Sequence, residues 1–198
     1  RGGPSAANPR GGNWYTNFNT DSRSALSVQL NTNVSWSESG NSSNNVNVSL
    51  NLKPSARLTL STGPQLSRSH TVAQYVKSVT DPTATQTLGG RYVFGTLDQT
   101  QLTLTTRVTM IVTPRVSLQI YSQPLIASGD YTDFKELAIP RSYDFTSYGF
   151  GPSTLALDAT TSTYTVDPDG IGVAPSFTFT DPDFNLKSLK INAVFRWE

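Results

Sequence analysis

The chain has 198 residues, 15% of them charged, a net charge of +1 and no cysteine. The lack of cysteine excludes disulfides, thiolate chemistry and cysteine metal sites. A balanced charge with no basic cluster argues against a nucleic-acid partner, and no apolar run reaches the ~18 residues that would propose a transmembrane helix. Charge is well below the ~25% of an average globular chain. Ser, Thr, Asn and Gln take the place of the missing charges.

The chain begins at Arg1 with neither a start Met nor a signal peptide, and is expected to be a mature product or a fragment. Residues 1–12, RGGPSAANPRGG, are rich in Gly and Pro and read as a loop or linker. A first strand is expected over Asn13–Thr20, followed by a polar turn at Asp21, Ser22 and Arg23.

Ala25–Trp36 is a long alternating ribbon. Leu26, Val28, Leu30, Thr32, Val34 and Trp36 share one face, while Ser27, Gln29, Asn31, Asn33 and Ser35 share the other. Ser37–Asn45 reads as a flexible loop. Val46, Val48, Leu50 and Leu52 resume the alternation, and Pro54 is expected to end that strand in a short turn. Leu58, Leu60 and Leu66 carry the return strand to about Arg68.

Thr71–Val79 and Thr85–Leu97 flank the turn sequence DPTA. Gln99–Thr113 is the cleanest strand, with Leu102, Leu104, Thr106, Val108, Met110 and Val112 on one face. Pro114 ends it, and Val116, Leu118, Ile120 and Ile126 form the return. An irregular insert is expected from Ser128 to about Pro182, with SFTFT at Ser176–Thr180 as a short strand inside it. The final ribbon, Asn185–Trp197, places Leu189, Ile191, Ala193, Phe195 and Trp197 on its apolar face.

Strands of ~12 residues exceed the usual five or six, and at ~40° of tilt they cover roughly 30 Å, near the thickness of a bilayer core. The expected fold is therefore all-β: an antiparallel up-and-down transmembrane β-barrel, or a large part of one, in one domain over residues 13–198. Leu26, Val28, Leu30, Leu102, Leu104, Val108, Val112, Leu189 and Ile191 are expected to face lipid. Trp14, Trp36 and Trp197, near strand ends, are expected at the membrane interfaces. The alternative is a soluble, secreted β-sandwich that binds glycan or assembles at the cell surface.

No catalytic constellation is visible, and an enzyme is not expected. The single histidine, His70, has no nucleophile or nucleophile-elbow motif near it. Asp130, Tyr131, Asp133, Phe134 and Glu136, in GDYTDFKEL, combine carboxylates with aromatic rings, as a sugar site requires. The same composition also describes a loop folded on its own ion pairs and aromatic packing. The Asp pairs in DPDG and DPDF lack the distal Glu of a calcium loop, and Asp-Pro and Asp-Gly are ordinary turn dipeptides. No metal or cofactor is expected.

RYVFGTLDQT, the run TPRVSLQ–ASGDY–DFKEL, and DPDFNLKSL ending in FRWE resemble an uncharacterised bacterial domain family. RGGP and NTDSR fit it too. In that family the domain follows a family-9-like carbohydrate-binding domain and forms a C-terminal outer-membrane barrel. The resemblance implies a bacterial outer-membrane location, with the lipid bilayer and a glycan as partners. It also implies further strands after FRWE, so the edges of this chain's sheet are expected to be met by another chain or by strands that this sequence does not include.

Overall fold

A computed structural model describes residues 6–198 of the chain. Seven long strands follow the alternating ribbons. They are β1 (Gly11–Asn19), β2 (Leu26–Ser37), β3 (Ser42–Ser55), β4 (Leu58–Thr80), β5 (Gly90–Thr113), β6 (Val116–Leu137) and β11 (Phe184–Trp197). Four short strands lie between β6 and β11: β7 (Phe145–Ser147), β8 (Thr154–Asp158), β9 (Thr163–Asp167) and β10 (Phe177–Thr180). The fold is all-β and every strand pairing is antiparallel.

The main sheet is an up-and-down meander in the order β1-β2-β3-β4-β5-β6-β11, with β7 added to β6. It is open. β1 pairs only with β2, and β11 pairs along its length only with β6. Both edge strands run the same way, so direct closure between them would be parallel, whereas every other joint is antiparallel. The three strands β10-β9-β8 form a second, small sheet.

Side chains opposite one another across a ladder share a face, so the register sorts the whole sheet. Leu26, Leu52, Leu60, Val108, Ile120 and Ala193 form one unbroken row across β2 to β11. Leu58, Met110, Leu118 and Phe195 form another on the same face. On the other face Asn17, Asn31, Asn47, Gln65, Thr103, Leu125 and Ser188 make a row that is polar but for one leucine. The period-two pattern of each ribbon thus adds up to a sheet with one apolar and one wet side.

The two ends of the sheet differ. At one end β3–β4 and β5–β6 turn through two residues each, 56–57 and 114–115, and β1–β2 through residues 20–25. At the other end lie residues 81–89, the four-residue turn 38–41, and the insert between β6 and β11. Successive short turns are also staggered. Asn19 and Gln29 close the first, yet β3 runs on from Ser49, opposite Gln29, to Ser55. Leu58 closes the second, yet β5 runs on from Met110, opposite Leu58, to Thr113. A steady stagger of this kind is the shear that tilts strands in a barrel wall.

Several boundaries differ from the sequence expectation. β4 and β5 are continuous through the places where a break was expected, near Ser69 and Asp98. β3 starts at Ser42 and passes through Pro54 to Ser55, with a bulge after Leu52. Residues 85–87 form one turn of 3-10 helix, so β5 starts at Gly90. β6 continues to Leu137, so GDYTDFKEL belongs to a strand and the insert starts at Ala138. Of the expected linker, Gly11 and Gly12 already pair in β1, and residues 1–5 lie outside the described residues.

Hydrophobic burial is concentrated where β4, β5 and β6 run beyond their shorter neighbours. Val93, Phe134, Tyr148, Val166 and Phe179 are buried there, with Val76, Tyr131, Leu155, Tyr164 and Phe177 packed around them. The small sheet therefore caps the long-loop end and does not cover the apolar face.

Candidate functional site

The apolar face stands out because it is uncovered. Ile191 is 66% exposed, Leu189 61% and Phe195 67%. Leu26, Leu102, Leu104 and Val112 are exposed as well, and Val28, Leu30 and Val108 are half-buried by their neighbours on the sheet. Monomeric soluble proteins rarely expose contiguous apolar patches beyond a few hundred Å². Here the apolar rows cross four to six strands. On β6 the face runs from Val116 to Ile126, about 34 Å of extended chain, or about 26 Å of depth at ~40° of tilt. That matches the ~25 Å apolar band of membrane barrels. Of the nine residues expected on this face, eight have a register that places them there. Val112 falls within the bulge between Ile111 and Thr113, outside the paired register.

The band ends abruptly toward the long loops. Val46, Leu66, Leu102 and Ile126 form its last row on β3 to β6. Two residues further on the same face stand Asn44, Arg68, Thr100 and Ser128, and then Ser42, His70, Asp98 and Asp130. His70 Nδ1 is hydrogen-bonded to Asp98 Oδ1 at 2.7 Å. On β11, Lys187 lies opposite Ile126 at the same border. Trp14 and Trp36 lie at this border on β1 and β2, opposite Val34 and Ser42. Trp197 lies at the far end of β11, opposite Val116 beside a short turn. The three tryptophans thus divide between the two ends of the band. Trp14 also donates its indole N–H to Thr16 Oγ1 at 2.8 Å.

The GDYTDFKEL residues do not converge on one cavity. Alternation fails there because Asp133 and Phe134 lie between Thr132, opposite Thr96, and Lys135, opposite Phe94, so that two residues oppose Gly95 alone. This is a β-bulge, with Asp133 in the left-handed region at φ 47. The bulge turns Phe134 into the cap core, where its ring centroid lies 4.6 Å from that of Tyr164 and 4.9 Å from that of Phe179. Gly95 leaves room opposite it: a Cβ there would sit 3.1 Å from the Phe134 ring.

The carboxylates of the segment are mostly engaged within the protein. Asp133 accepts from Lys135 Nζ at 2.7 Å and from Ser147 and Thr96. Partial burial pushes its pKa up, but these donors hold it below the ordinary value. Both carboxylate oxygens of Glu136 accept from Arg91 Nη1, at 2.6 and 2.8 Å, and one accepts from Tyr148 Oη at 3.1 Å. Burial, followed by the Glu136 charge, pushes the Tyr148 phenol far above its ordinary value. Tyr131 donates its backbone N–H to Asp183 at 2.5 Å. Asp130 presents its carboxylate outward, beside Asp98, and Asp133 remains about half exposed despite its bonds.

The sequence reading missed the centre of this network. Asp81 is 1% exposed and accepts from Arg91 Nε at 2.5 Å and from the backbone and hydroxyl of Thr83. Burial opposes its charge, yet the bonds from Thr83 and Arg91 hold its pKa below the ordinary value. The Asp81–Thr83 bond is the Asx turn that DPT encodes. The reach of Arg91 to both Asp81 and Glu136 has no sequence signature. No cluster of His, Cys, Asp and Glu fit to hold a metal occurs among the described residues.

Fold and exposed face together define an all-β, antiparallel up-and-down sheet protein with one apolar side. Comparison with protein-family models, with curated proteins and with solved structures gives no match.

Proposed function

We propose that this sheet is the wall of a bacterial outer-membrane β-barrel, with its apolar face in lipid and its wet face toward a lumen. The observation that carries the reading is the apolar face itself: contiguous across the sheet, exposed, and of bilayer height. Backbone groups in hydrocarbon must all be paired, so both sheet edges must be met by further strands. Antiparallel closure takes an odd number of them, with the strands next to β1 and β11 running opposite to both. Short turns at one end and long loops at the other fit periplasmic and external sides respectively.

The role that follows is passage or anchoring, and the family resemblance links it to carbohydrate capture. Within GDYTDFKEL, Tyr131, Phe134 and Glu136 serve that role by fixing the external cap, while Asp130 faces outward within reach of a glycan at the barrel mouth. The test is fractionation. The protein should sediment with outer membranes, resist carbonate extraction and require detergent to stay monodisperse. A monodisperse protein without detergent ends the reading.

A further inference from the structure

The wet face carries cations and almost no counter-charge. Arg107 on β5 lies opposite Tyr121, and its guanidinium sits 5.7 Å from the centre of that ring. Tyr121 lies opposite Asn192 on β11. Lys190 lies opposite Gln123, and Arg196 opposite Ser117. Along the paired rows below Asp98 and Asp130, the rest of this face is Ser, Thr, Asn, Gln, Tyr and a few apolar residues, with no carboxylate. Arg196 has Glu198 at 3.8 Å. Arg107 and Lys190 have no ion-pair partner among the described residues.

The face is also concave at this place. A hollow of about 590 Å³ opens over β5, β6 and β11, lined by Arg107, Thr109, Gln119, Tyr121 and Asn192 together with the apolar Ile120 and Val194. Four of the acidic residues at the long-loop end are turned away from these cations or engaged by others. Asp98 and Asp130 lie on the apolar face, Asp133 is held by Lys135, and Glu136 is held by Arg91. Unpaired cations in a polar, water-filled groove raise the local concentration of anions, and Arg and Lys side chains serve as the selectivity elements of anion pores.

We propose that the lumen bordered by this face selects small anionic solutes, with Arg107 and Lys190 as the selecting charges. The inference rests on the barrel reading and names the solute class that the lumen admits. Amide and hydroxyl groups around the cations suit polar anions, because they can hydrogen-bond a carboxylate or phosphate without repelling it.

The test is the reversal potential of the full protein in planar bilayers under a KCl gradient. The expected sign is that of chloride preference. Arg107→Gln and Lys190→Gln, separately and together, should bring it toward zero, and the double change to Glu should reverse it. Arg68→Gln, on the opposite face, should leave it unchanged. Heat-modifiable migration on gels checks that each variant folds. A channel that prefers potassium, or one indifferent to Arg107→Gln and Lys190→Gln, overturns the inference and leaves the barrel standing. A protein that inserts but conducts nothing overturns the passage reading together with the inference.

Discussion

Leu66 and Arg68 are successive residues on one face of β4, and the environment reverses between them. Leu66 stands between Val46 and Leu102, whereas Arg68 stands between Asn44 and Thr100. In a soluble sheet the face turned to water would be polar over its full length. A change of this kind, repeated on β3, β5 and β6, is what the proposed membrane wall requires where its surface passes from an apolar medium into water.

The first prediction follows from that surface. Leu104 lies within the band opposite Pro64, and Val108 lies between Leu60 and Ile120. Leu104→Arg or Val108→Arg should destabilise the protein in lipid by about 2–4 kcal/mol, the cost of Arg near the midplane. Thr105→Arg, on the wet face, should change stability by less than about 1 kcal/mol, as surface substitutions usually do. Urea titration in liposomes checks this. Equal costs on the two faces would remove the membrane reading.

The second prediction concerns the Arg91 network. The carboxyl of Asp81 is held below its ordinary value in the folded protein. Its contribution is therefore fully present above the unfolded value of ~3.9 and is lost as pH falls through the lowered folded value. The cap should hold its structure down to about pH 4 and loosen below it. Asp81→Asn removes a charged partner of Arg91 and should cost about 1.5–3 kcal/mol at neutral pH, with a flatter response to acid. Amide exchange of residues 81–91 against pH measures both. An unchanged acid profile in the variant would show that Asp81 does not carry the effect.

Much of this sheet was legible in the sequence, and the reason is physical. Period-two alternation is a local signal, so the faces of β2, β5 and β11 can be read from Leu26, Leu104 and Ile191 alone. Strand ends were less legible. Ladder pairing carries β3 through Pro54 and β4 through Ser69, overriding local signals that read as breaks. The bulge at Asp133 was illegible, since it depends on Gly95 lying opposite, far away in the chain. Because the bulge reverses which side chains point inward, Phe134 became core, the aromatic packing that the sequence left open beside a ligand contact. Alternation already puts Arg107 and Lys190 on the polar faces of their strands, but that the two share one side of the sheet follows only from the register of β5, β6 and β11.

The third prediction tests the division between cap and sheet. Phe134 is 2% exposed and lies among Val93, Tyr148, Val166 and Phe179. Phe134→Ala should cost about 3–5 kcal/mol of local stability, as for other buried aromatics. The loss should appear as rapid proteolysis within residues 138–183, while the long strands remain protected. Loss of protection across β2 and β5 as well would show that the cap and the sheet unfold as one unit.

The fourth prediction sets the orientation. Asp144 lies in the insert between β6 and β7, and Asp167 at the end of β9 in the small sheet. Both belong to the long-loop end, where Asp residues are plentiful and would be costly in hydrocarbon. Cysteine introduced at either position should react with an impermeant maleimide on intact cells. Cysteine at Arg57 or Arg115, in the two-residue turns of the opposite end, should react only after the outer membrane is permeabilised. The parent chain has no cysteine, so the background is clean. The reverse labelling pattern would turn the barrel over and place the GDYTDFKEL segment in the periplasm. In that orientation the cap could not meet external glycan, and the link to carbohydrate capture at the cell surface would be lost even though the membrane wall itself remained.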